Sequence, residues 1–254
     1  MLVLGVCSLK GGVGKTSVTL GLASAALERG LRTLVVDMDP QGDSTMSLGV
    51  QPEGVDVATV LDDPGEAAVR AATLASTWAD AGLDVLPGSE RNVRHDRLDD
   101  HELGRLRYAL TGLTGYDLVL VDCPPSLGSL TRIGLTACDR AVVVTEPGLF
   151  AVMAVGRAMR TIDELRRGPA PNLQPLGIVV NRVRARSLEQ AFRLDELRSL
   201  YGPLMLTPQV PERAALQQAQ GAAQPVHAWP GAAATELSEV FDALLDRALR
   251  APRR

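Results

Sequence analysis

Lysine is almost absent from this chain: of its 26 basic residues only Lys10 and Lys15 are lysines, and the others are arginines. Cysteine is scarce as well. Cys7, Cys123 and Cys138 are odd in number, far apart and free of any C-x-x-C spacing, which excludes a disulfide framework and a cysteine zinc site and leaves ordinary buried thiols. No apolar run reaches the roughly 18 residues of a membrane span. The apolar stretch at residues 2–9 lacks the basic flank of a secretory signal, so the expected location is the cytoplasm. An excess of positive charge is missing too. With 26 basic against 30 acidic residues the net charge is −4, and the pI is near 5.5, which argues against a basic nucleic-acid binder. What remains is 254 residues with 46% hydrophobic content and a mean hydropathy of +0.07, a globular chain long enough for a full core. One α/β domain over residues 1–254 is expected.

The two lysines stand together in residues 10–17, KGGVGKTS, between a strand expected over 2–9 and a helix expected over 16–28. Gly11, Gly12 and Gly14 let the backbone take unusual dihedrals and bring its N–H groups against phosphate oxygens. Lys15 supplies a point charge for β- and γ-phosphates, the Thr16 hydroxyl suits Mg²⁺, and the helix beginning here turns its positive end to the anion. Val13 and Ser17 complete the cradle. In a chain that writes arginine almost everywhere, lysine is kept where a compact ammonium and not a planar guanidinium fits phosphate. A glycine-rich turn with chance lysines is the competing reading. The pattern predicts a bound nucleoside triphosphate.

Downstream, short apolar runs read as buried parallel strands. The run at 32–37 leads into DMDPQGDST (37–45), which puts Asp37 and Asp39 at a strand tip, where open α/β sheets place ligands; a solvated Asp-Pro turn is the alternative. Residues 116–122, YDLVLVD, end in Asp122, suited to hold Mg²⁺ through water. Residues 175–181, PLGIVVN, end in Asn181, whose amide can accept from and donate to an adenine edge, with Arg182 stacking on the base. Residues 83–86 and 141–145 read as further strands, and 55–61, 66–77, 91–110, 149–167 and 233–249 as helices.

Charge is uneven along the chain. Residues 1–150 sum to −8, 151–200 to +4 and 201–254 to 0. The positive segment holds Arg182, Arg184, Arg186, Arg193 and Arg198, candidates for contact with a phosphate backbone. A solvated face of an arginine-biased chain is the alternative.

The order xKGGxGK[ST], with Leu9 where the usual loop has its first glycine and Lys10 after it, resembles the deviant Walker A loop of the ParA/MinD family of P-loop ATPases. Residues 37–45 and the strand 116–122 with its Cys-Pro-Pro continuation resemble that family's switch and Walker B elements. The likeness runs from Leu2 to near the C-terminus. It implies a doubly wound, mostly parallel α/β sheet of about seven or eight strands with helices on both faces and the nucleotide across the strand tips. It also implies ATP and Mg²⁺, and a homodimer closed around two ATP, Lys10 of each subunit reaching the other's phosphates. Asp39 would position the attacking water, and Asp37 would lie near the metal. Residues 207–213, TPQVPER, resemble the family's base-lining segment; Pro211 matches, and Arg213 stands where the family has Asn.

The first strand's start at Leu2 leads to the expectation of a short, Soj-like chain without an N-terminal helix-turn-helix. By that resemblance the chain would be a weak ATPase stimulated by a ParB-like partner. It would bind non-specific double-stranded DNA as an ATP dimer, associate with the nucleoid in that form, and segregate chromosomes or plasmids. It departs from some members in having Trp229, Pro230 and Gly231 where they carry arginines. The alternatives are a MinD/McdA-like positioning ATPase acting on a membrane or another cargo, and a metabolic or metal-handling relative. Glu236, Glu239, Asp242 and Asp246 on the last helix suit anionic lipid poorly, and only Arg253 and Arg254 add charge beyond it, so no membrane is expected. The cysteines match no iron–sulfur ligand set of the nitrogenase iron protein, which shares the loop.

Overall fold

The computed structural model describes residues 1–52, 54–78, 82–96 and 102–251. Among them, seven strands form one sheet: β1 (Leu2–Cys7), β2 (Thr33–Asp37), β3 (Leu74–Ala75), β4 (Leu83–Leu86), β5 (Leu118–Asp122), β6 (Arg140–Thr145) and β7 (Gln174–Val180). Their order is β3-β4-β2-β5-β1-β6-β7, and every neighbouring pair is parallel except β3 with β4. The expected fold class holds. The helices are α1 (Lys15–Glu28), α2 (Asp43–Ser47), α3 (Val57–Asp62), α4 (Glu66–Ala72), α5 (Arg105–Leu110), α6 (Ser129–Thr136), α7 (Ala151–Arg167), α8 (Leu188–Tyr201), α9 (Ala214–Gly221) and α10 (Ala232–Arg250).

Every residue of β1, β2, β5 and β6 is buried, as strands covered on both faces require. Alternation along β1 divides the core. Leu2, Leu4 and Val6 face α1 and α10, packed against Val18, Leu22, Phe241 and Leu245. Val3 and Cys7 join the opposite core with residues of α6 and α7, among them Ile133, Leu135, Val155 and Ile162. At Gly5 a Cβ would press on Cys138 and Leu135, so this glycine lets the segment after α6 lie close on β1.

Two helix expectations are corrected. The helix expected at 66–77 ends at Ala72, because Thr73 turns extended and Leu74–Ala75 pairs with β4; edge pairing overrides local helix preference. The single helix expected at 91–110 is instead a 3₁₀ turn at Glu90–His95, capped by Ser89, and the short α5. Leu103, Leu106 and Leu110 are buried as the stripe requires. Leu98 of that stripe lies outside the described residues, as do Arg253 and Arg254. The three cysteines are buried and free, and burial pushes the Cys7 thiol up to about 12 against the opposing pull of Lys15. Among the described residues no helix is long and apolar enough to cross a membrane.

Parallel strands send their C-terminal ends to one edge. The loop after β1, residues 37–45 after β2, Asp122 on β5, Glu146 after β6 and Asn181 after β7 therefore meet there.

Candidate active site

β1 hands over to a loop in which Gly12 and Gly14 hold φ of +79° and +86°, the left-handed region that a side chain disfavours. Gly14 sits immediately before α1, so the first N–H groups of that 14-residue helix open into the cavity it adjoins. The cavity measures about 430 Å³, and its lining includes Gly12, Gly14, Lys15, Thr16, Ser17, Asp39, Pro125 and Gln220. Lys15 is buried, and a buried ammonium calls for an anion. Lys10 is not in that lining. It points outward, with a side chain 55% exposed, and pairs with Glu146.

The carboxylates divide by burial. Asp122 is fully buried; its Oδ2 accepts from Thr16 Oγ1 at 2.8 Å and Ser44 Oγ at 2.7 Å, and its Oδ1 from Thr19 Oγ1 at 3.2 Å. Burial raises its pKa, against the pull of Lys15. Thr16 and Asp122 thus present hard oxygen donors side by side beneath the cavity, a set that fits Mg²⁺ keeping most of its waters. Asp37 is also fully buried and raised, by burial first and by Asp122 second. Its Oδ2 accepts from Thr45 N at 2.9 Å and Thr45 Oγ1 at 2.7 Å, and its Oδ1 from Asp39 N at 3.2 Å. Asp37 therefore lies beside Asp122 but holds the 37–45 loop; it is absent from the cavity wall. Asp39 does reach the wall, with Oδ1 accepting from Gln41 N at 3.1 Å.

A second cavity of about 250 Å³ adjoins the first at Ser17 and Arg182 and is lined by Asn181, Pro211, Arg213 and Leu216 among others. The residues expected at the base therefore come together. Asn181 also ties the phosphate loop to β7, since its Nδ2 donates to Val13 O at 2.8 Å, and a Cβ on Gly14 would overlap that amide. Its Oδ1 accepts from Arg182 N at 2.9 Å, which helps hold Arg182 at φ +57°, a strained value kept where a site over-determines it. Arg213 lines the cavity but sends its guanidinium to Glu236.

The five candidate DNA arginines are not equivalent. Arg184 pairs with Glu212. Within α8, Arg193 pairs with Glu189 and Glu196, and Arg198 with Asp195. Arg182 and Arg186 make no ion pair among the described residues.

Several site residues escaped sequence reasoning. Ser44 and Thr45 were within the 37–45 motif, but nothing in it tells which carboxylate each hydroxyl meets. Buried Asn92 donates Nδ2 to Asp37 O and Met38 O at 3.3 Å each, and Gln220 accepts from Ser17 Oγ at 3.1 Å. Both come from distant segments without a motif.

The AAA domain family matches residues 1–174. The chromosome-partitioning ATPase Soj of Thermus thermophilus is 33% identical over 216 residues, 85% of this chain and 83% of Soj. The chromosome partitioning protein ParA of Caulobacter vibrioides is 32% identical over 233 residues, 88% of this chain and 85% of ParA. A solved structure of cobyrinic acid a,c-diamide synthase from Mycobacterium smegmatis, with a bound ATP analog and magnesium, is 30% identical with a TM-score of 0.81, covering 100% of this chain and 98% of that one. With the loop, the paired carboxylate tips and these likenesses in place, the chain belongs to the ParA/Soj-type family of deviant Walker A P-loop ATPases.

Proposed function

We propose that residues 1–254 act as one partitioning ATPase domain that binds ATP and Mg²⁺ at the strand tips, dimerises around two nucleotides and holds non-specific duplex DNA in that form. A ParB-like partner stimulates its otherwise weak hydrolysis, and the cycle of nucleoid binding and release segregates a chromosome or plasmid. The observation that carries this reading is the division of labour between the only two lysines. Lys15 is buried in its own cradle, whereas Lys10 projects out of it, on the side where a partner's phosphates would meet it. The names of the Soj and ParA relatives, and the ATP analog and magnesium in the solved relative, support the same reading.

The chain's own groups divide the chemistry. Backbone N–H groups of Gly12, Gly14 and the first turn of α1, with Lys15, hold the phosphates. Thr16 and Asp122 would hold magnesium, which when bound would offset negative charge on the phosphates. Asp39 accepts a hydrogen bond from the water that attacks the γ-phosphorus, orienting it as the bond to the ADP oxygen breaks. Asp37 and Thr45 fix the loop that carries Asp39. Asn181, Pro211 and Arg213 enclose the base, leaving the Arg182 guanidinium to the duplex.

Duplex binding measured with ATP, with ADP and without nucleotide across a salt series tests the reading. Arg182 and Arg186 of two subunits neutralise four phosphates, so log K against log salt should fall with a slope of about −3.6. ATP-dependent binding with that slope is the expected result. Dimerisation with ATP but no DNA binding would mean a positioning ATPase with another cargo, and liposome pelleting would tell whether that cargo is a membrane.

A further inference from the structure

Leu149 and Phe150, just before α7, and Met153, in its first turn, are 62%, 64% and 58% exposed. One exposed apolar side chain is ordinary, but three in five residues form a patch that calls for a partner. Phe150 and Met153 belong to a groove of about 340 Å³ lined by Leu9, Lys10, Phe150, Met153, Ala154 and Arg157. That lining holds two cations and no carboxylate; Lys10 is already paired with Glu146, whereas Arg157 makes no ion pair among the described residues. Its occupant should therefore offer an apolar knob beside a negative charge.

The chain carries such a pair itself. Met46 is 71% exposed, and exposed Asp43 lies three residues earlier on α2, on the same helical side. Both stand on the wall of the phosphate cavity. The sheet runs β2-β5-β1-β6, so Met46 follows a strand on one side of the phosphate loop and Phe150 follows a strand on the other, at the same edge. A two-fold axis lying in the contact plane, through the phosphate loop and across the strand order, lays the post-β2 segment of one copy on the post-β6 groove of the other. Each copy gives and receives, as an isologous contact requires.

We propose that the groove beside Lys10 receives Met46 and Asp43 of a second copy of this chain, Met46 against Phe150 and Met153, and Asp43 against Arg157. The proposal rests on the ATP-dependent dimer above and specifies its contacts. It has a mechanistic consequence: Asp43 and Met46 continue the loop that bears Asp39, so seating them in the partner fixes the water-positioning segment only in the dimer.

The test mixes two single-substitution chains, Met46→Cys in one and Met153→Cys in the other, with a short bismaleimide and ATP or ADP. The native thiols are buried and their pKa values raised, so they react poorly and the new ones dominate. A cross-linked species of doubled mass, formed with ATP, is expected. In parallel, Asp43→Arg and Arg157→Asp chains should each dimerise about tenfold or more weakly with ATP in sedimentation. Mixing the two should restore the dimer, because both seats then pair opposite charges. If the unsubstituted chain dimerises with ATP but the mixture does not cross-link, or the charge-reversed chains dimerise normally, the seat is wrong and the dimer reading stands. If the unsubstituted chain stays monomeric with ATP, the dimer reading fails and the seat with it.

Discussion

Lys10 Nζ donates to Glu146 Oε1 across the tips of β1 and β6, an ion pair that holds the lysine away from its own phosphate loop. The pair is partly exposed, so its net worth is at most about 1 kcal/mol. If Lys10 must leave it to reach a partner's nucleotide, Glu146→Gln should tighten the ATP dimer by up to about fivefold per subunit. Lys10→Ala should bind nucleotide normally yet stay monomeric. Sedimentation with ATP and a nucleotide titration check both outcomes, and a weaker Glu146→Gln dimer would mean that the carboxylate itself belongs to the interface.

Asp39 stands on the cavity wall, while Asp37 and Asp122 are turned inward. Asp39→Ala should therefore lower single-turnover phosphate release by about 10²-fold or more with little change in ATP affinity, and dimer should accumulate. Unchanged release would remove Asp39 from the mechanism.

The strand tips were legible in the sequence because each is an apolar run stopped by a polar residue, and parallel strands bring such stops to one edge. The phosphate loop was legible because chemistry leaves few residue types that fit it. The partners of the carboxylates were not. Thr45 meets Asp37 and Ser44 meets Asp122, a choice made by a one-residue difference in direction within one short helix. Ion pairing hid likewise: Arg184 and Arg186 look alike in the run, and only the return of residues 210–212 alongside Val183 brings Glu212 to Arg184. At 73–75 local composition misled, since alanine-rich helix gave way to an edge strand that only the sheet could supply.

Gly21 on α1 lies under the ring of Phe241 on α10, where a Cβ would overlap the ring. Gly21→Ala should cost about 1–3 kcal/mol by overpacking, seen as a lower urea midpoint, with nucleotide affinity kept. Phe241→Leu in the same chain should recover part of the loss, although alone it destabilises. Additive losses would show that the helices already adjust to the extra carbon.

His227 is packed between α1 and α10, with Nδ1 2.7 Å from Ser24 Oγ and Nε2 3.6 Å from Asp242 Oδ1. Burial lowers its pKa; Asp242 and Glu28 pull upward and Arg29 downward without reversing this. His95 is lowered in the same way, with Asp62 opposing. Below the ordinary value of about 6.5 the unfolded chain takes up protons at these histidines that the folded chain refuses, so their contribution to stability falls as pH drops through the window beneath it. Asp37 and Asp122, raised by burial, take up protons in the folded chain over the same range and act with the opposite sign. The histidine share is therefore read as a difference: between about pH 7 and 5 the thermal midpoint of the native chain should fall relative to that of His227→Gln, and parallel curves would remove His227 from the acid response.

Arg184 is held by Glu212 through Nε and Nη2, and the pair bears directly on the DNA reading. On that reading the ion pair keeps Arg184 of the native chain from neutralising phosphate, and Arg182 and Arg186 would carry the contact. Glu212→Gln frees it. Two subunits then offer six guanidinium groups in place of four, and the salt slope should steepen from about −3.6 to about −5.4, with binding tighter at low salt. Glu212 also lines the second cavity, so both chains are compared at saturating ATP, and the folded structure should not move. If the native slope is already near the steeper value, Arg184 exchanges Glu212 for phosphate on binding; if neither chain's slope depends on these arginines, the duplex lies on another face.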